Sequence, residues 1–284
     1  MTASDPKAIR GEDWAGEMGE RWLANLDLFE EMIAGIGDAL IDAAEPRRGE
    51  TVLDVGCGGG ATTIALARAV GPEGTATGLD ISHALTDAAL RRAALGGVRN
   101  IAMITADATT VSLQKHAYDL LFSRFGVMFF DDPVAAFRNL RPSLKAGGRV
   151  RFACWAAPVE NQWIMTVLGV LSKHIELPPP VPRAPGPFAF AEPDYVRQIL
   201  SDAGYAHVAL VPWRGRVLLG GKGATARSAA EFVIGALSVG EIVRAQPAEI
   251  QRVVLNDVEA AFAPFAAGEG VDFAAAVWFV SATP

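Results

Sequence analysis

A chain of 284 residues, 51% of them hydrophobic and with a formal net charge of −7, holds enough apolar material for one large α/β domain or a domain with sizeable insertions. The acidic balance excludes a nucleic acid as the main partner, because that affinity rests on clustered Lys and Arg; the pairs at Arg47, Arg48 and Arg91, Arg92 read as solvated helix or loop ends. No apolar run reaches the roughly eighteen residues of a membrane span, and Met1 to Asp13 lacks the apolar core of a secretory leader. A cytoplasmic protein without stable membrane insertion is expected. Cys57 and Cys154 have no metal-ligand spacing and fit reduced thiols, so neither a disulfide nor a metal site is expected.

From Glu12 to Ala44 the residues Trp14, Met18, Trp22, Leu26, Phe29, Ile33, Ile36 and Leu40 recur three or four apart, which predicts one amphipathic helix or two in series. Pro46 and Gly49 end it. Trp22 and Phe29 read as packing on a sheet, whereas Trp14, near the start, can cover the mouth of a site. The stretch Thr51 to Val55, the turn Gly56 to Gly60 and the run Ala61 to Arg68 then read as strand, tight loop and helix, half of a βαβ unit. Glycines at such a turn let a ligand approach main-chain N–H groups, and the helix start beside them favours carboxylate or phosphate.

Two nucleotide-type ligands compete for this loop. Gly56, Gly58 and Ala61 satisfy the dinucleotide fingerprint. A carboxylate at Asp54, however, repels a pyrophosphate and suits the ammonium and sulfonium charges of S-adenosylmethionine.

Thr75 to Asp80 reads as the second strand, and Asp80 stands where a carboxylate accepts from ribose hydroxyls with either ligand. Ser82 is the expected cap of a helix through Leu95. Asn100 to Thr105 is the third strand, with Asp107 just beyond it, where it can accept from an adenine amino group. Ala117 to Ser123 reads as a central strand buried on both faces. Arg124 to Phe130 leaves its carboxyl end, the edge at which open α/β sheets bind ligands. A helix from Asp131 and a fifth strand, Arg149 to Trp155, follow.

Residues 156–190 change character, with Pro178 to Pro180, further prolines and one apolar helix from Trp163 to Leu171. A helix (Pro193 to Ala203) and a strand (His207 to Trp213) resume the α/β rhythm. A second insertion, Gly220 to Gly270, is helical and Ala-rich, and Phe273 to Ala282 closes the chain as a strand.

In five stretches the sequence resembles the class I S-adenosylmethionine-dependent methyltransferases, in particular the small-molecule branch that includes the ubiquinone and menaquinone enzymes. These are Val52 to Gly60 with the pattern Asp54-x-Gly56-x-Gly58-x-Gly60, Gly78 to Ser82, Ala106 to Ala108, Tyr118 to Arg124, and Leu144 to Arg149. The resemblance implies a Rossmann-like α/β fold whose seven-stranded mixed sheet runs 3-2-1-4-5-7-6 with strand 7 antiparallel, helices on both faces, and helical insertions forming a cap. The implied organisation is an N-terminal helical cap over 1–48, the cofactor-binding core over 49–155, a lid over 156–190, and the rest of the core over 191–284 with the insertion 220–270. The implied cofactor, S-adenosylmethionine, would lie with its methionine end on Asp54 and the turn of Gly56, Cys57, Gly58 and Gly60. Asp80 would hold the ribose, Ile81 one adenine face, Asp107 and Ala108 the adenine edge, and Ser123 the ammonium group through its main-chain carbonyl.

The expected activity is methyl transfer to a small, apolar-bodied acceptor, with the acceptor atom open among O, N, C and S. The insertions and the N-terminal helix are expected to form the acceptor chamber, with Trp14, Arg21, Trp22, Phe125, Met128 and Trp163 as candidate substrate contacts and His174 as the candidate general base. Two other classes stay open: a non-catalytic S-adenosylmethionine-binding sensor or assembly protein, and a nicotinamide-dependent oxidoreductase. A homodimer is compatible with the sequence, which carries no signal for oligomeric state.

Overall fold

The computed structural model describes residues 10–284, so the leader expectation for Met1 to Asp13 lies largely outside the described residues. A short 3-10 turn, Gly11–Ala15, precedes two helices, α1 (Glu17–Ala24) and α2 (Leu26–Ala44), the second of the two arrangements that the spacing allowed. In α2 the residues Phe29, Met32, Ile33, Ile36, Leu40 and Ala44 are buried at helical spacing and pack on the sheet. Glu45 then takes a left-handed conformation at the C-cap, before Pro46, which cannot continue a helix.

The core alternates strand and helix except between β3 and β4, which a loop joins: β1 (Thr51–Val55), α3 (Ala61–Val70), β2 (Thr75–Asp80), α4 (His83–Leu95), β3 (Ile101–Thr105), β4 (Tyr118–Arg124), α5 (Pro133–Leu140) and β5 (Leu144–Trp155). Ser82 caps α4 by accepting from the Leu85 N–H, and Asp132 caps α5 by accepting from Ala135 N–H. Asp119, the one acid in the apolar β4, accepts from Thr51 N–H at 2.8 Å and from Lys145 Nζ at 2.7 Å, which ties the starts of β1, β4 and β5 together. The remainder is α6 (Gln162–Leu171), α7 (Pro193–Asp202), β6 (Ala206–Leu219), α8 (Ala226–Ala236), α9 (Gly240–Arg244), α10 (Ala248–Phe262), β7 (Ala266–Ala267) and β8 (Gly270–Thr283).

The sheet order is β3-β2-β1-β4-β5-β8-β6, with β8 antiparallel to both neighbours and the two-residue β7 added beside it. With β7 set aside, this is the order implied by the resemblance. Strands β6 and β8 extend well beyond the expected ranges, because they pair with each other from Ala206 and Thr283 up to Leu219 and Val271. That ribbon carries α8, α9 and α10 at its far end. No helix among the described residues is long and apolar enough to cross a membrane, and Cys57 and Cys154 are buried and free.

Candidate active site

The strand ends β1 to β5 open into one cavity of about 1460 Å³. One end of it is built from local turns. Gly56 and Gly58 have φ of +66° and +52°, the left-handed region. A side chain at Gly56 would place its Cβ 2.6 Å from Gly126 Cα, so the turns after β1 and β4 meet backbone to backbone. Asp80, 8% exposed, accepts from Gly58 N–H at 2.8 Å and from Ser82 N–H at 2.9 Å, so the carboxylate pins the glycine turn to the start of α4. Burial raises its pKa, and these backbone bonds oppose the rise. Ile81, Leu79, Leu85, Asp107 and Ala108 complete this end. Asp107 is held by Thr109 N–H at 2.7 Å.

Four expected cofactor residues are not part of the cavity wall. Asp54 is fully buried behind the turn, where Oδ2 accepts from the hydroxyls of Thr62 at 2.7 Å and Thr63 at 2.6 Å. Oδ2 therefore clamps the first turn of α3 while Oδ1 is buried without a partner, and burial pushes the pKa up to about 6 against the pull of the two hydroxyls and of Arg124. Cys57 fills the space over Gly78, and burial drives its thiol pKa well up. Gly60 faces Ala89 of α4, which a Cβ would approach to 2.6 Å, so its lack of a side chain serves helix packing. Ser123 points into the core with its Oγ unpartnered.

The other end of the cavity is assembled from three remote segments. The N-terminal region supplies Trp14, Trp22, Phe29, Met32 and Ile33; residues 158–188 supply Trp163, Ile164, Leu168, Pro178 to Pro180 and Phe188; and 237–246 supply Leu237, Val239 and Ile242. Aromatic rings run along it: Phe125 stacks on Trp155 at 4.6 Å and 9°, and Trp155 meets Trp163 at 5.6 Å. Phe125 has φ +66°, a strained conformation for a large side chain, where the chain turns into the close contact of Gly126 with Gly56. Among the expected substrate contacts, Trp14, Trp22, Phe125, Met128 and Trp163 line this cavity.

Arg21 and His174 do not line it. Arg21 donates to Glu241 at 2.8 Å, joining α1 to a residue of α9 that does line the wall. His174 meets Asp257 of α10 at 2.7 Å, tying the first insertion to the second. None of the four histidines, His174 included, lines the cavity. Sequence reasoning missed Arg124, a residue of the wall whose guanidinium pairs with Glu30 of α2, the two side chains 8% and 11% exposed. The available signal was a charge at the carboxyl end of an apolar central strand.

Fold and site together define a Rossmann-like α/β domain with a ligand cavity at the carboxyl edge of its sheet. Residues 52–148 match the family model described as a methyltransferase domain. The chain is 36% identical over 122 residues to the aklanonic acid methyltransferase of a Streptomyces species (strain C5), covering 43% of this chain and 56% of that one. It is 34% identical over 104 residues to the demethylmenaquinone methyltransferase of Staphylococcus aureus, covering 37% and 42%. The match thus spans about half the length of these curated relatives. The solved structure of the cyclase SpnF superposes with a TM-score of 0.57 at 16% identity over 99% of both chains. That likeness is one of fold, and a fold does not carry an activity with it.

Proposed function

We propose that the protein transfers the methyl group of S-adenosylmethionine to a small, largely apolar acceptor. One observation carries this reading over that of a cofactor-binding sensor: a single cavity of about 1460 Å³ joins the glycine-turn end to an aromatic chamber, where about 300–1,000 Å³ is typical for one ligand. A two-substrate reaction needs that second compartment and a sensor does not. The relatives named for aklanonic acid and demethylmenaquinone support a small-molecule acceptor.

The residues fit the cofactor. Gly58 presents bare backbone to the cavity, where an added Cβ would meet only Trp22 Nε1, at 3.6 Å. Asp80 has lone pairs left for ribose hydroxyls after its two backbone bonds, and Asp107 and Ala108 stand ready for the adenine edge. When bound, S-adenosylmethionine supplies an electrophilic methyl group on a positively charged sulfur. The protein's own share is alignment and exclusion of water, and the three roof segments meet that need by covering the sheet edge with apolar side chains. Among the described residues no three His, Cys, Asp or Glu side chains form a metal-holding group.

The test offers the protein and S-adenosylmethionine a panel of phenols, quinols, amines, thiols and carboxylic acids, and follows S-adenosylhomocysteine. Product with at least one member is the expected result. Tight S-adenosylhomocysteine binding with no turnover on any compound would favour the sensor, and protection from heat by a nicotinamide nucleotide alone would favour the oxidoreductase.

A further inference from the structure

Trp22 of α1 reaches from the aromatic end of the cavity to the glycine turn. It is half-buried, lines the cavity and stacks on Phe29 at 3.8 Å and 12°, a contact that fixes its ring plane. Its Nε1 lies 3.6 Å from the place that a Cβ on Gly58 would take, so the nitrogen edge of the indole overlooks the bare face of the turn. Among the described residues nothing accepts from this nitrogen. The indole nitrogens of Trp14 and Trp163 also lack partners, but both are sealed in the wall, and that of Trp22 is not. The turn itself has few donors to spare, since four of the five N–H groups from Gly56 to Gly60 are spent within the fold. Gly56 and Cys57 give theirs to Leu79 O at 2.7 and 3.2 Å, Gly60 to Cys57 O at 2.9 Å, and Gly58 to Asp80 at 2.8 Å. Arg124, the one basic residue of the wall among the described residues, is turned to Glu30 with its Nε sealed. An oxyanion laid on the turn therefore needs a donor from elsewhere, and Trp22 stands beside it.

We infer that the Trp22 Nε1–H donates to the carboxylate of S-adenosylmethionine, so that α1 selects the intact amino-acid end of the cofactor over forms that lack this carboxylate. The chemistry of the donor decides among the charged groups at that end. An indole N–H can only donate. An ammonium group has only donors as well, and a sulfonium carries positive charge, so neither is a partner for it. A carboxylate accepts through two oxygens, and the start of α3 beside Gly60 favours the same group through the partial positive charge of a helix N-terminus. The inference rests on the methyl-transfer reading, but its test is a binding measurement.

Calorimetric titration would compare S-adenosylhomocysteine with its decarboxylated analogue, which keeps the adenosine, the sulfur and the ammonium group. The wild-type protein is expected to bind S-adenosylhomocysteine more tightly by about tenfold or more, the worth of one hydrogen bond to a charged group. Trp22→Phe keeps a ring against Phe29 and loses the N–H. It should weaken S-adenosylhomocysteine by about tenfold while leaving the decarboxylated analogue within about twofold of wild type, the level of a neutral change. If Trp22→Phe fails to fold, benzothienylalanine at position 22, which has sulfur in place of the N–H and nearly the same shape, replaces it. Unchanged S-adenosylhomocysteine affinity after loss of the N–H overturns the inference, and so does a wild-type protein with no preference between the two compounds. An equal loss for both compounds overturns it too, because Trp22 would then act by packing alone. Failure of both compounds to bind the wild-type protein would instead sink the methyl-transfer reading itself.

Discussion

The two ends of the cavity are built by different means. The glycine-turn end comes from the loops that leave three consecutive strands, β1, β2 and β3, and its polar work is done by backbone N–H groups and by carboxylates locked to them, as Asp80 is to Gly58 and Ser82. The aromatic end comes from segments more than a hundred residues apart, Trp14 and Trp22 against Trp163 and Leu237, held by side-chain packing. A ligand site made from local backbone is rigid and tolerates little change. One made from remote side chains can be altered in selectivity while the other end keeps working.

The sharpest way to break this contrast is Gly58→Val. It puts a β-branched residue at φ +52° and fills the approach to the backbone, so S-adenosylhomocysteine affinity should fall by on the order of a hundredfold or more, equivalent to about 3 kcal/mol. Calorimetry would read it. Native affinity in this variant would mean that the cofactor does not lie on the turn.

Asp54 tests whether the turn is supported from behind. Its folded pKa of about 6 lies above the ordinary aspartate value of 3.8, so the folded protein holds the proton more tightly than the unfolded chain does. Its share of stability is therefore full below about pH 4 and lost as pH rises through about 6, on the order of 2–3 kcal/mol. Asp54→Asn keeps an acceptor for Thr62 and Thr63 and should remove that loss, giving a flatter pH profile by denaturant melts. A variant with the wild-type slope would contradict the burial argument.

Asp80→Ala frees the Gly58 N–H and removes the ribose acceptor, and should cost about 1.5–3 kcal/mol of cofactor affinity. At the opposite end, Trp163→Leu should leave S-adenosylhomocysteine affinity unchanged while raising the KM for the acceptor by about tenfold, the loss expected on removing an aromatic contact. Equal damage to both ligands would erase the distinction between the ends. The smallest effect is expected for His174→Ala. The His174–Asp257 pair is partly exposed and such pairs are worth about 0–1 kcal/mol, so kcat should stay within about twofold of wild type in steady-state assays.

The sequence by itself determined the core strands, the glycine turn and the places of Asp80, Ile81, Asp107 and Ala108 at strand ends, because each of these depends on residues adjacent in the chain and on the βα rhythm, whereas the strand order came from the resemblance. It also placed the apolar helix of the first insertion. Tertiary structure alone decided which side chains face the cavity. Asp54 is one residue from the strand end, and whether its carboxylate faces the ligand or the Thr62 and Thr63 hydroxyls depends on how α3 docks. Arg21, Arg124 and His174 look alike in sequence, as polar residues near apolar runs. Their partners, Glu241, Glu30 and Asp257, lie 220, 94 and 83 residues away, separations over which local periodicity carries no information and packing alone sets who meets whom.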